Sequence, residues 1–236
     1  MNIKKTFLKL TKFTYTYGDE SMLEHLLPKE IQQDKFGNYF LKIGESSTMF
    51  TCHLDTATYK TEKVNHRFDG NFIKTDGSTI LGADDKAGVT ILLWMIHHKI
   101  PGLYYFFIGE EQGCIGSNAA TALDFSEYKR CISFDRRGYN SVITNQLGKV
   151  CCSDEFATQL SKNFIDLGLY YSPDPTGIFT DSAMFMSLIP ECTNISVGYF
   201  NEHSESEKQD IEFLKKLCNA CLQISWENLE THRTLS

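Results

Sequence analysis

The sequence predicts an α/β fold, a mostly parallel mixed sheet with helices on both faces, and three observations carry that expectation. Apolar runs of strand length alternate with stretches of helical period. One helical stretch, residues 87–98, is apolar on nearly every side, as a helix packed deep against a sheet must be. A chain of 236 residues with 42% hydrophobic content can bury one sizeable core, so a single domain over residues 1–236 is expected.

Ile3, Phe7, Leu10 and Phe13 recur at helical spacing, and Met22, Leu23, Leu26 and Leu27 do so after Asp19, a capping candidate; together they predict a helical opening. Residues 38–43 and 48–52 read as neighbouring strands joined by the turn 44–47. Residues 68–79 read as a hairpin around Asp69-Gly70. After the apolar helix, residues 103–108, 130–134 and 193–197 are further strand candidates, and residues 155–167 form a helix between the last two. Ile211, Leu214, Cys218, Cys221 and Leu222 mark a helix near the end. The turn-rich stretch 172–177, with Pro173 and Pro175, falls short of a linker, and no internal repeat divides the chain.

Composition excludes several classes. Acidic residues outnumber Lys and Arg by 30 to 23 and no basic run is present, so nucleic acid is not an expected partner. Among the eight cysteines, Cys52, Cys114, Cys131 and Cys192 lie in or beside apolar runs without framework spacing, which reads as reduced core residues and a cytoplasmic protein. Lys9 and Lys12 interrupt the apolar face of residues 1–13, which is neither a secretory signal nor a membrane span.

The chemistry lies immediately after the apolar runs. His53-Leu54-Asp55 follows the run ending at Cys52, Glu110-Glu111 follows residues 103–108, Asp135 follows residues 131–134, and His203 follows residues 195–200. Ligands bind at the carboxyl ends of strands in open α/β sheets, so these residues are expected to converge on one crevice. Two imidazoles with carboxylates suit zinc, and a shared carboxylate lets two ions act together. Asp84, in the glycine-bearing loop 82–88 before the apolar helix, is the natural bridge. Glu110 is the expected general base beside the ligand Glu111, and Asp55 is placed to hydrogen-bond the second ring nitrogen of His53. Taken singly, each group has a bland reading: Glu110-Glu111 as a solvated turn, Asp84-Asp85 as a helix cap. Their joint occurrence, each beside an apolar run, argues for chemistry.

The strings Cys52-His53-Leu54-Asp55-Thr56, Thr75-Asp76-Gly77-Ser78-Thr79-Ile80-Leu81-Gly82-Ala83-Asp84-Asp85-Lys86-Ala87-Gly88 and Gly109-Glu110-Glu111-Gln112-Gly113-Cys114-Ile115-Gly116-Ser117, with Asp135, resemble the co-catalytic zinc exopeptidases. That group includes peptidase T, the carboxypeptidase G-like enzymes and the lid-less zinc aminopeptidases. The second string is especially similar to peptidase T. The resemblance implies a zinc-exopeptidase-like fold, one ion held by His53, Asp84 and Asp135, a second held by Asp84, Glu111 and His203, and a cis Asp84-Asp85 peptide bond. Thr180-Asp181-Ser182-Ala183 resembles the family's Thr-Asp turn, which makes Asp181 a substrate-site candidate.

The same resemblance exposes a departure. Only 203 − 135 = 68 positions separate Asp135 from His203, and 84 − 55 = 29 separate Asp55 from Asp84, so neither of the family's inserted lid or dimerisation domains fits. The expectation is a bare catalytic domain, a monomer, hydrolysing short peptides with two divalent ions (zinc, with cobalt or manganese as alternatives). Aminopeptidase is the first reading, with an acidic wall near Asp181 or Glu202 receiving the substrate's α-amine. A carboxypeptidase or N-acyl amino acid deacylase is the enzymatic alternative, for which Arg136 or Arg137 would clamp a carboxylate. A non-catalytic metal-containing binding protein is the alternative of another class.

Overall fold

Thr48–His53 and Gly102–Phe107 are buried at every position, which requires strands covered on both faces. A computed structural model describing residues 1–235 places them side by side, in parallel, inside an eight-stranded sheet. In chain order the strands are β1 (Gln32–Gln33), β2 (Tyr39–Ile43), β3 (Thr48–His53), β4 (His66–Asp69), β5 (Phe72–Thr75), β6 (Gly102–Phe107) and β7 (Arg130–Arg136). They continue with β8 (Ser141–Ile143), β9 (Asn145–Gln146), β10 (Lys149–Val150), β11 (Ser172–Asp174), β12 (Glu191–Ser196), β13 (Tyr199–Phe200) and β14 (Lys208–Asp210). The main sheet runs β1-β2-β6-β3-β7-β12-β8-β11, with β6, β3, β7 and β12 parallel and antiparallel pairings at β1-β2, β2-β6 and β12-β8. A smaller antiparallel sheet has the order β13-β14-β5-β4.

The helices are α1 (Ile3–Leu10), α2 (Ala83–His97), α3 (Ile115–Ala120), α4 (Asp154–Asp166), α5 (Asp181–Met184) and α6 (Ile211–Cys221). On one face α2 packs on β3 and β7 between α1 and α6; on the other, α5 lies over β3, β7 and β12 beside α3. The expected mixed sheet, mostly parallel at its centre with helices on both faces, is what forms. Phe50, Phe134 and Phe164 surround Trp226 on the α2 face, and Phe107 and Phe125 pack on Phe185 on the other. All eight cysteines are free and buried, matching their reading as core residues. No helix among the described residues is long and apolar enough to cross a membrane.

Four local expectations differ from the structure. Strands β2 and β3 are not neighbours, because β6 inserts between them and pairs with both; the turn between them leads out of one pairing and past the inserted strand. The segment after Asp19 is a 3-10 helix, Glu20–Leu26, and the Asp19 side chain caps nothing, accepting instead from Thr61 Oγ1 at 2.5 Å. The stretch expected as a turn at residues 172–177 contains β11, where Pro173 is tolerated because the strand lies at the sheet's edge. His203 does not follow a strand of the main sheet. Strand β12 ends at Ser196, the chain turns at Gly198 (φ 88°), and His203 sits on the turn between β13 and β14 of the small sheet.

Candidate active site

The loop leading into α2 bends sharply at Gly82, whose φ of 72° disfavours a side chain. Asp84 and Asp85 keep non-helical backbone angles, and the peptide bond between them is cis. Their side chains diverge. Asp85 turns inward, accepting from the backbone N–H of Gly88 at 2.9 Å and of His53 at 3.2 Å, so the cap expected of this pair belongs to Asp85. Asp84 turns the other way, towards the sheet's carboxyl edge.

There it meets the other candidates. His53 Nε2 lies 3.1 Å from Asp84 Oδ1 and 3.6 Å from Asp135 Oδ1. His203 Nε2 lies 3.1 Å from Asp84 Oδ2 and 3.0 Å from Glu111 Oε1. The five candidate ligands therefore converge, and the two oxygens of Asp84 divide them into two groups. His53, Asp84, Asp135 and Glu111 are inaccessible or nearly so, while the His203 ring is 53% exposed on its turn at φ 60°, a backbone region histidine visits more readily than most residues.

Further groups hold several of the candidate ligands. Asp55 Oδ1 lies 3.2 Å from His53 Nδ1, and its two oxygens accept from the backbone N–H of Glu110 and of Glu111, both at 3.0 Å. One buried carboxylate thus orients the imidazole and the glutamate turn together. Asp135 accepts from Tyr199 Oη at 3.1 Å and from the Thr180 hydroxyl, while the Asn194 amide brackets its backbone at 2.9 and 2.8 Å.

Three supporting residues escape sequence reasoning. Glu207, 1% exposed, accepts from the N–H groups of Leu81, Gly82 and Asp84 at 2.9, 2.7 and 2.9 Å, fixing the loop that carries the bridging aspartate. Lys86, fully buried, donates to Asp55 O at 2.9 Å and Thr56 Oγ1 at 3.3 Å. Glu20, 3% exposed, accepts from the N–H of Gly18 and of Gly109. The available signal was weak: Lys86 stands inside the aspartate motif, but Glu207 lies in a polar run that reads as surface.

Electrostatically the site holds more buried acid than base. Burial and the Asp84 charge raise Asp135 to about 6. Burial raises Glu111, with Asp84 adding to it, and lifts Glu110 well above the carboxylate range. Burial alone would depress His53, but Asp135, Asp55 and Asp84 outweigh it and raise its pKa well above the imidazole range. Asp84 and Glu111 raise His203 to about 11.

This donor set suits divalent cations. Ligand atoms bound to zinc at roughly 2.0–2.1 Å in a tetrahedron lie about 3.3 Å apart, and the contacts above span 3.0–3.6 Å. Glu111 Oε1 is a buried acceptor without a hydrogen bond, although His203 Nε2 is close; the two atoms are misaligned for one. An acid-rich cluster with an orphaned carboxylate oxygen is what a cation would complete.

Beside the cluster opens a cavity of about 210 Å³ lined by Asp84, Glu110, Glu111, Asp135 and His203 and by Arg136, Arg137, Gln146, Ile178, Phe179, Tyr199 and Glu202 among others. Glu110 is 8% exposed, and its Oε1 accepts from Cys114 Sγ at 3.6 Å. Of the two acidic wall candidates, Glu202 lines the cavity, whereas Asp181 is 1% exposed behind it with Oδ1 unpartnered, its pKa raised to about 8 by burial.

No family model matches the chain. In fold it is similar to a tripeptidase from Staphylococcus aureus subsp. aureus Mu50, with a TM-score of 0.77 at 17% identity over 95% of this chain and 97% of that one. Aminopeptidase PepT from Bacillus cereus ATCC 10987 is comparable, at 0.76, 17%, 95% and 97%. A Pyrococcus horikoshii TET1 peptidase gives 0.70 at 16% identity, covering 96% and 100%. These likenesses establish a shared fold, in agreement with the resemblance drawn from the motifs. In sequence, peptidase T of Listeria monocytogenes serotype 4b is 29% identical over 116 residues, 33% of this chain and 28% of that protein. The uncharacterized protein YqjE of Bacillus subtilis is 38% identical over 79 residues, 30% and 20% respectively. The chain thus spans less than a third of the length of these curated relatives.

Proposed function

We propose that this chain is a two-metal, zinc-dependent exopeptidase that removes the N-terminal residue of short peptides. The observation that carries the reading is the division at Asp84, with Oδ1 toward His53, itself beside Asp135, and Oδ2 toward His203 and Glu111. A bridging carboxylate with one imidazole and one further carboxylate on each side is the donor arrangement of a two-ion hydrolytic site. On this reading His53, Asp84 and Asp135 hold one ion and Asp84, Glu111 and His203 the other; zinc, cobalt and manganese all accept such ligands. Bound there, the ions would polarise the scissile carbonyl and acidify a water to a pKa of about 7.

The chain's own groups do the rest. Glu110 takes the proton of the attacking water and delivers it to the departing amine, and burial, which strengthens its hold on a proton, suits it to both halves of that transfer. Asp55 fixes the His53 ring so that Nδ1 donates to it and Nε2 faces the site. Glu202 lines the cavity wall with Oε1 paired to Arg137 at 3.0 Å, which leaves its other oxygen, Oε2, for the substrate's α-amine. Asp181 does not line the cavity, and with its pKa raised to about 8 by burial it backs the site as a mostly protonated, neutral acid at neutral pH. The activities of the structural neighbours, a tripeptidase and an aminopeptidase, favour the same substrate class. The segment from Asp135 to His203 forms β8 to β13, α4 and α5, which supports reading it as part of the catalytic domain and not as an inserted lid; action as a monomer is part of the same proposal.

The test is hydrolysis by zinc-reconstituted protein of mixed free, N-acetylated and C-amidated peptides, read by mass spectrometry. Loss of N-terminal residues from peptides with a free amine is expected, and Glu110→Ala should lower the rate by about 10²–10⁴ with two equivalents of zinc still bound. Undiminished cleavage by Glu110→Ala sinks the mechanism; two bound ions without any cleavage favours a binding protein.

A further inference from the structure

Two adjacent arginines follow the ligand Asp135 into the cavity wall, and their surroundings differ. Arg137 is 60% exposed and neutralised by Glu202, Nη1 to Oε1 at 3.0 Å. Arg136 has no carboxylate oxygen within 4.0 Å among the described residues. Its Nη2 donates to Thr176 O at 3.3 Å and Thr176 Oγ1 at 3.1 Å; Nη1 makes no hydrogen bond, and Nε is buried without a partner.

We infer that Arg136 is the subsite for the free C-terminal carboxylate of a di- or tripeptide, an inference that rests on the exopeptidase reading and adds its substrate class. Its charge reaches Asp174 past Thr176, whose hydroxyl donates to Asp174 Oδ1 at 2.6 Å, but no carboxylate pairs with it directly; a guanidinium that is half-buried and tethered at one nitrogen in this way is preorganised for a carboxylate, because the tether has already fixed its long side chain. The cavity around it carries the apolar side chains of buried Ile143 and of exposed Ile178 and Phe179, which a bound peptide would cover, and a charge-assisted hydrogen bond strengthens where water is displaced. Gln146, on the same wall, is 1% exposed and donates from Nε2 to Ser182 Oγ at 3.2 Å, which packs it as a rigid backing to the wall beside Arg136. The volume of about 210 Å³ falls below the roughly 300–1,000 Å³ of sites for drug-sized ligands, as a site for a very short peptide should. One end of such a peptide then lies at the metal ligands and the other at Arg136, so chain length is read by the distance between them.

The test measures binding, so that it does not depend on turnover. Zinc-loaded Glu110→Gln protein is titrated calorimetrically with trialanine and with trialanine amide. The acid is expected to bind about tenfold to a hundredfold more tightly. Adding Arg136→Ala should bring the ratio to about one, and Arg136→Lys, which keeps the charge and loses the fork, should give an intermediate ratio. Equal affinities with Arg136 intact, or no binding of either peptide, overturn the inference. So does a preference that survives Arg136→Ala in protein with unchanged melting temperature, because it would then belong to the metal ions. An acid preference that depends on Arg136, together with no hydrolysis by the unsubstituted protein, would keep the carboxylate site and sink the peptidase reading.

Discussion

Replacing Glu207 strips the acceptor from three buried backbone N–H groups, those of Leu81, Gly82 and Asp84. Each stranded donor costs about 1–3 kcal/mol. The three share one loop and relax together, so Glu207→Ala is expected to lower stability by about 3–5 kcal/mol. Glu207→Gln behaves differently. Oε2 serves Leu81 and Gly82 while Oε1 serves Asp84, so an amide can keep the first two bonds but then turns a donor on the Asp84 N–H. One lost bond, partly offset because burial already disfavours the charged acid and raises its pKa to about 8, gives about 1–2 kcal/mol. Both variants loosen the backbone of the bridging aspartate, and zinc affinity should fall about tenfold to a hundredfold. Urea midpoints in excess chelator, with slopes checked for constancy, and competition against a chromophoric chelator measure the two effects. An Ala variant within about 0.5 kcal/mol of the parent, a size ordinary for surface sites, with unchanged zinc affinity would refute the assignment of Glu207 as the anchor of this loop.

Two further outcomes follow from the same geometry. A Cβ at position 88 would lie 2.3 Å from Phe134 O and 2.5 Å from Asp85 Oδ2, so Gly88→Ala should destabilise by about 2–3 kcal/mol in urea despite alanine's helix propensity; a gain in stability would contradict this packing. In metal-free protein His203 is raised from 6.5 to about 11, so the folded state binds its proton more tightly than the unfolded state. Its contribution is then fully present below pH 6.5 and lost as pH climbs towards 11. The difference in urea midpoint between parent and His203→Gln in chelator should shrink across that window, modestly because the ring is half-exposed, and a difference that grows instead would reverse the sign argued here.

What could be read from the sequence was whatever lies beside a strand it helps to end. His53, Glu110, Glu111 and Asp135 each adjoin an apolar run whose burial is plain from composition, so their convergence follows once the runs are stacked in parallel. Asp84 was legible because its loop combines glycines with paired acids. Strand order was not: the insertion of β6 between β2 and β3 is a pairing between segments distant in sequence, and local periodicity contains no trace of it. Glu207 was hidden for the same reason, since its partner Asp84 is 123 positions away and only the small sheet brings them together. Arg136 and Arg137 look alike in sequence, and only their neighbours, Thr176 for one and Glu202 for the other, tell them apart.

The sheet is not knitted in the order in which it is translated. When β7 is made its partner β3 already exists, but its other neighbour, β12, begins only at Glu191, after β8 and α4 and β11. Throughout that interval the growing chain presents the edge of β7, next to Asp135, as an open template for mispairing. The same interval separates the two ligand groups: His53, Asp84 and Asp135 exist together well before His203 is synthesised. A nascent chain can therefore gather one group early, while the other closes only after β13 and β14 of the small sheet have been made. Slow translation between β7 and β12 would prolong that exposed state.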